Sequence, residues 1–323
     1  MTEPLHTFAI GMRVRFRGIA VREGMLWRGS AGWAEWSPFL DYCGPELVPW
    51  WDATHEAAEV GWPAPIRSSV PVNCTVPAVS PEQAHTIAAT SGCRTAKVKV
   101  CDRGQALADD LARVEAVRDA LGPDGAVRVD ANGGWDVDQA TSALRQLSRF
   151  TLEYAEQPCG SVEELRVLRQ RLAGRGIDVP IAADESIRRA TDPYRVARLE
   201  AADIAVLKVQ PLGGVRACLR IAEQIGLPVV VSSALETSVG IRAGLALAAA
   251  LPELPYACGL NTVPLLGGDV ACRPLAAVGG VLRVSNLDVS PEALRCWQAD
   301  DSRSAFWQAR LLRTRELAGD RRG

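Results

Sequence analysis

From about Val70 the chain alternates short apolar runs, rich in Val, Ile and Ala, with segments whose apolar positions recur at helical spacing. The apolar runs predict strands at 70–78, 95–101, 126–131, 152–157, 180–185, 204–210 and 228–233, with a weaker one at 256–260. Helices are predicted between them at 81–91, 106–121, 137–150, 162–173, 193–201, 215–225 and 238–251. The second carries Leu107, Leu111, Val114, Val117 and Leu121 on one stripe with charges opposite. Ser80-Pro81 and Asp192-Pro193 supply a cap followed by proline at helix starts, and Gly92, Gly122 and Gly226 stand at helix ends. Strict strand–helix alternation implies parallel strands joined by right-handed crossovers. The segment after the first strand, VNCTVPAVSPE, has no glycine-rich phosphate turn, which argues against an open doubly wound sheet. The expected fold class is therefore α/β: a modified TIM barrel, (β/α)7β, over residues 67–265.

Residues 1–66 differ. They hold six of the nine Trp, alternate like a β-meander over 13–36, and carry a helical pattern over 52–60. A small α+β N-terminal capping domain is expected there. Residues 266–323, with a hairpin-like stretch at 279–288 and an Arg-rich last helix, are expected to pack back on barrel and cap. The Trp-rich unit could form a subunit interface or pack on the barrel, and the second reading makes a monomer the expectation.

Composition removes several function classes. A formal charge of −2 offers no basic field for a phosphate backbone, so no nucleic-acid partner is expected. The longest apolar stretch, about 243–252, falls short of the ~20 residues a bilayer span needs, and the N-terminus lacks the apolar core of a signal peptide. Nine scattered cysteines form no CxxC pair and read as thiols in a reducing cytoplasm.

One count points to chemistry. Of the 36 basic residues 33 are Arg, and the only lysines are Lys97, Lys99 and Lys208. Arginine serves on a solvated face but cannot release its proton, so lysine is needed where a cation must titrate. These lysines lie near the C-terminal ends of predicted strands, as do Asp130, Glu156, Asp184 and Glu185. Positions 99, 130, 156, 184 and 208 are 24 to 31 residues apart, one β/α unit each. In a parallel barrel those ends share one rim, where the active site is built. An all-oxygen carboxylate set suits a hard dication such as Mg²⁺ rather than zinc, and His6, His55 and His85 lie away from the strand ends. Singly, each residue has a plainer reading. A strand-end Asp more often caps a helix, as Asp136 and Asp192 are expected to do. Glu156 could bond loop amides, and Lys97 and Lys99 could mark a solvated edge. One charged site on each of five successive strands outweighs these readings.

The segments AKVKV, VRVDANGGW, EYAEQP, AADES and VLKVQPLGG, in this order and spacing, resemble the enolase superfamily, and within it the muconate-lactonizing-enzyme-like branch. The N-terminal stretch FRGIAVREGMLWRGSAGWAEWSPF, with VPVNCTVPAV and SSALETSVG, is similar to the actinobacterial-type o-succinylbenzoate synthase family of that branch. The resemblance implies that Asp130, Glu156 and Asp184 bind Mg²⁺, with Mn²⁺ as a substitute. It implies that Lys99 abstracts the proton α to a substrate carboxylate and that the resulting enediolate is stabilised by the metal. By the same resemblance Lys97 holds the carboxylate and depresses the pKa of Lys99, and Lys208 faces the substrate from the other side. Ser232, Ser233 and Asn132 fall where the family contacts substrate, Glu185 stands behind the metal, and residues 32–42 take the place of the mobile loop over the mouth. The implied activity is a Mg-dependent hydro-lyase reaction on a small carboxylate. N-succinylamino acid racemisation or a related epimerisation uses the same residues, although YACGLNTVPL lacks the Asp-x-Asp pair of dipeptide epimerases. Muconate cycloisomerisation and a non-catalytic anion-binding barrel are more remote alternatives.

Overall fold

A computed structural model describes residues 4–320. The N-terminal unit is an antiparallel meander, β1 (His6–Phe16), β2 (Ile19–Arg28) and β3 (Trp33–Trp36), in that spatial order. Helix α1 (Val48–His55) follows and runs on as a π-turn through Glu56–Val60. The expected Trp cluster is internal: Trp27, Trp36 and Trp50 are buried together with Trp307 from the end of the chain.

The sequence then enters the barrel. The apolar run expected at 70–78 divides in two. β4 (Ser69–Pro71) leaves the barrel to pair antiparallel with β12 (Val281–Arg283), and only β5 (Cys74–Val76) joins the parallel sheet. From there the chain reads α2 (Pro81–Thr90), β6 (Thr95–Lys99), α3 (Leu107–Leu121), β7 (Ala126–Asp130), α4 (Val137–Leu147) and β8 (Leu152–Glu156). It continues through α5 (Val162–Gly174), β9 (Ile181–Ala183), the one-turn helices α6 (Glu185–Arg188) and α7 (Arg195–Arg198), β10 (Ile204–Lys208), α8 (Val215–Ile225), β11 (Val229–Ser232) and α9 (Ser238–Ala250). The seven strands lie in order β5 to β11, all parallel. The expected eighth strand is a short bridging segment: Cys258 pairs with Val72 and Gly259 with Ser232, which joins the two edges of the sheet. Gly259 fits closely there: a Cβ would stand 2.6 Å from Ser232 Oγ and force that hydroxyl to turn. Two helices, α10 (Pro291–Cys296) and α11 (Asp301–Asp320), close the chain.

Local signals explain most boundaries. Ser80 and Asp136 cap α2 and α4 through the amides of Gln83 and Gln139. Asp192 does not cap the helix expected at 193–201; its carboxylate accepts from the Tyr194 amide and pairs with Arg198, and only α7 is helical there. Strand alternation sorts the core into two layers. Val98, Val127, Val129, Ala155, Ala205, Leu207, Val229 and Val231 belong to the large cluster beneath the helices, whereas Tyr154, Ala182, Ile204, Val206 and Val230 form a separate cluster inside the ring. Above that floor the strand ends carry charge.

Candidate active site

The register of β6, β7 and β8 sets the first half of the site. Lys99 pairs with Asp130 and Asp130 with Glu156 across neighbouring strands. Lys97 Nζ donates to both oxygens of Glu156, at 3.0 and 2.9 Å, and lies 3.6 Å from Asp130. Lys99 Nζ is bonded to Asp130 and donates to Asn132 Oδ1 at 2.7 Å, with its ammonium 4.9 Å from the centre of the Phe16 ring. Four strands further round the ring, Lys208 Nζ donates to Asp184 Oδ2 at 2.6 Å. All six charged groups are buried.

Burial is the largest influence on Lys97, Lys99, Asp130, Glu156 and Asp184. It lowers Lys99 to about 8, with Lys97 and Arg17 acting the same way and Asp130 opposing. On Lys97 the nearby Glu156 and Asp130 outweigh burial, and its pKa is raised. Burial also works against the charged forms of Asp130 and Asp184, but Lys99 and Lys97 hold Asp130, and Arg188 and Lys208 hold Asp184, well below the usual carboxylate range. Glu156 moves the other way, to about 7, because Asp130 and Asp184 add their repulsion to burial.

Lys97, Lys99, Asp130, Lys208, Ser232 and Ser233 line one cavity of about 20 Å³, together with Thr75, Leu235, Gly259 and Thr262. Ser233 shares a 2.9 Å hydrogen bond with Thr262. Glu156 and Asp184 stand just behind this lining, on Lys97 and Lys208. Asn132 bridges Lys99 and Glu185, donating to the latter at 3.3 Å. Glu185 also accepts from Arg17 at 3.1 Å and Arg188 at 2.6 Å.

Several participants escaped the sequence reading. Phe16, Arg17 and Phe39 also line the cavity, and Arg17 and Phe39 wall a larger pocket of about 470 Å³ that Arg188 and Trp307 share. Arg188 binds Asp184 at 3.0 Å, an i,i+4 pair visible in the spacing of ADESIRR. The segment expected as a mobile loop lines the cavity through Phe39. Its first part is β3, and residues 37–42 are held by arginines: Arg22 bonds Ser37, Arg188 bonds the Tyr42 hydroxyl, and Arg189 pairs with Asp41 at 2.7 Å.

Among the described residues no group of three or more His, Cys, Asp or Glu is arranged as a finished metal cage. The donor set nevertheless fits a hard dication. Carboxylates from three successive strands face one another closely enough for two of them to push up the third, and lysines now supply the positive charge that this grouping demands.

Comparison with known proteins agrees with this layout. Residues 80–288 match the family described as Enolase C-terminal domain-like, and residues 7–58 match Enolase N-terminal domain-like. The chain belongs to the enolase superfamily. Enzymes of this superfamily depend on a divalent metal. The o-succinylbenzoate synthase of Thermobifida fusca (strain YX) is 64% identical over 95% of each chain, and that of Mycolicibacterium smegmatis is 54% identical over 96% of this chain and 94% of the relative. Among solved structures, N-succinyl Arg/Lys racemase from Bacillus cereus superposes with a TM-score of 0.76 at 20% identity, covering 92% of this chain and 97% of that one. Muconate lactonizing enzyme from Pseudomonas fluorescens gives 0.76 at 23% identity, covering 92% and 99%. These two likenesses concern the fold of this enolase-superfamily chain. Among the described residues no helix is long and apolar enough to cross a membrane.

Proposed function

We propose that the chain is an o-succinylbenzoate synthase, a Mg²⁺-dependent hydro-lyase that dehydrates 2-succinyl-6-hydroxy-2,4-cyclohexadiene-1-carboxylate to o-succinylbenzoate in menaquinone biosynthesis. The observation that carries this reading is the 64% identity, over 95% of both chains, to a curated protein of that name. The geometry supports the roles. A proton α to a carboxylate is weakly acidic because its loss places a second negative charge on one group. Bound by Asp130, Glu156 and Asp184, a Mg²⁺ (or Mn²⁺) would supply positive charge for that carboxylate and engage the acids that now hold the lysines.

Lys99 Nζ, lowered to about 8, is the base that takes the proton from carbon. The C–O bond to the neighbouring ring carbon then breaks, and the departing hydroxide takes the proton from Lys99 to leave as water while the ring becomes aromatic. Lys97 orients the substrate carboxylate and disfavours the charged form of Lys99. Lys208, entering from across the ring, faces the opposite side of the substrate as a cation. Ser232, Ser233 and Asn132 offer neutral polar contacts at the rim, and Glu185 orders Arg17, Arg188 and Asn132 behind it. Free thiols at all nine cysteines fit a cytoplasmic enzyme, and burial of the aromatic cluster within the chain fits a monomer.

Ultraviolet absorbance follows the aromatic product directly. Turnover is expected with Mg²⁺, abolished by EDTA, and restored by excess Mg²⁺ or Mn²⁺. Absence of aromatisation with the metal present, or turnover indifferent to EDTA, overturns the reading.

A further inference from the structure

Arg310 lies on α11, far from the barrel mouth in sequence, yet it is buried against the segment whose Phe39 lines the cavity. Its guanidinium donates to three main-chain oxygens: Pro38 at 3.0 Å, Phe39 at 2.8 Å and Tyr42 at 2.8 Å. It lies against an edge-to-face pair of indoles, 4.9 Å from the Trp307 ring centre and 5.8 Å from that of Trp36. A rigid planar fork that satisfies three carbonyls at once fixes the curl of the segment in a way no single-point donor can. Two side chains leave that curl toward the site. Phe39 walls the cavity between Arg17 and Arg22, whose guanidiniums stand 5.7 and 4.9 Å from its ring. Tyr42 receives a hydrogen bond from Arg188, which in turn holds Asp184.

We propose that Arg310 is a positioning residue for the substrate: by gripping the carbonyls of Pro38, Phe39 and Tyr42 it holds the Phe39 ring as the fixed wall against which the non-reacting arm of the substrate binds. The inference rests on the reading of this cavity as the o-succinylbenzoate synthase site. Because Phe39 carries no group that moves a proton or meets developing charge, its displacement weakens binding in the ground and transition states alike, and the loss falls on KM.

The test is steady-state kinetics of the full chain with Mg²⁺, for wild type, Arg310→Met, Arg310→Lys, Phe39→Leu and the Arg310→Met/Phe39→Leu double variant. Arg310→Met is expected to raise KM at least tenfold with kcat within threefold, and Arg310→Lys to raise it less. Phe39→Leu should raise KM similarly, and the double variant no further than the worse single one. If Arg310→Met does not fold, the Arg310→Lys and Phe39→Leu pair provides the same cycle. An unchanged KM accompanied only by a lower Tm overturns the inference, as do single effects that multiply in the double variant. Failure of the wild-type enzyme to aromatise the substrate is a distinct result and overturns the proposed function instead.

Discussion

Lys99 and Lys208 stand on strands four apart in the ring, each tied to a different carboxylate, but the proposed chemistry needs a titrating amine at Lys99 and only a cation at Lys208. Arginine keeps the charge and cannot give up its proton. Lys99→Arg is therefore expected to lower kcat by about 10²–10⁴-fold, the usual worth of a positioned acid–base group, with unchanged far-ultraviolet circular dichroism, whereas Lys208→Arg keeps its cation and loses less. Normal turnover by Lys99→Arg would remove it as the base. These residues were legible in the sequence because arginine occupies every other basic position, so each lysine stood out. Arg17, Phe39 and Arg188 were not. Arg17 meets Glu185 across 168 residues, and Phe39 becomes a cavity wall only when the cap settles on the barrel. No periodicity encodes such a meeting. Arg188 was within reach, since its i,i+4 spacing from Asp184 is local.

At the level of elements, the cap is keyed to the barrel by two carboxylates seated on successive helix starts. Glu56 accepts from the amides of Val215 at 2.5 Å and Arg216 at 3.2 Å, taking the place of a side-chain cap that α8 lacks. Gly214 leaves room for it, as a Cβ there would stand 2.4 Å from Glu56 Oε2. Glu35 accepts from Thr237 N at 3.1 Å and Gly240 N at 3.0 Å at the start of α9. Burial, the largest influence on Glu35, pushes it up to about 7 against the pull of Arg22, and the nearby Glu236 adds to the rise. Between the unfolded value, near 4.5, and about 7 the native state binds the extra proton. The contribution of Glu35 is therefore complete below about pH 4.5 and is lost as pH rises through 7, by roughly 3 kcal/mol. Denaturant melts across pH 5–8 should show a steeper decline in wild type than in Glu35→Gln, which keeps the part due to Glu156; identical slopes would contradict it. The same docking explains what periodicity misread among the elements. The apolar run at 70–78 was continuous in sequence, but Ser69–Pro71 finds its partner at Val281–Arg283, more than 200 residues on. The last barrel strand was a weak pattern because the segment makes single bridges at Cys258 and Gly259, too short to display alternation. By contrast β10 and β11 were plain as apolar runs, and β6, β7 and β8 as apolar positions around one internal charge; all but β11, which ends on Ser232, end on a charged residue.

Across the whole molecule, three lysines and three acids meet at the top of a ring whose floor is apolar and aromatic. Each of these three acids already has an ammonium, so their charge is balanced without a dication. A cation that then binds this native arrangement, and not the unfolded chain, must add stability by mass action. At a Mg²⁺ concentration one hundredfold above Kd the gain is about 2.7 kcal/mol. With an unfolding entropy near 2.1 cal/mol/K per residue, a chain of 323 residues should then melt about 4 °C higher. Asp130→Asn should bind Mg²⁺ more weakly by calorimetry and, at the same Mg²⁺ concentration, shift by less. The variant also separates two roles of Asp130, since it frees Lys99 from its partner even without the cation. A wild-type Tm that does not move at Mg²⁺ concentrations saturating turnover would mean that the three acids are not the ligands, whatever the chemistry of the lysines.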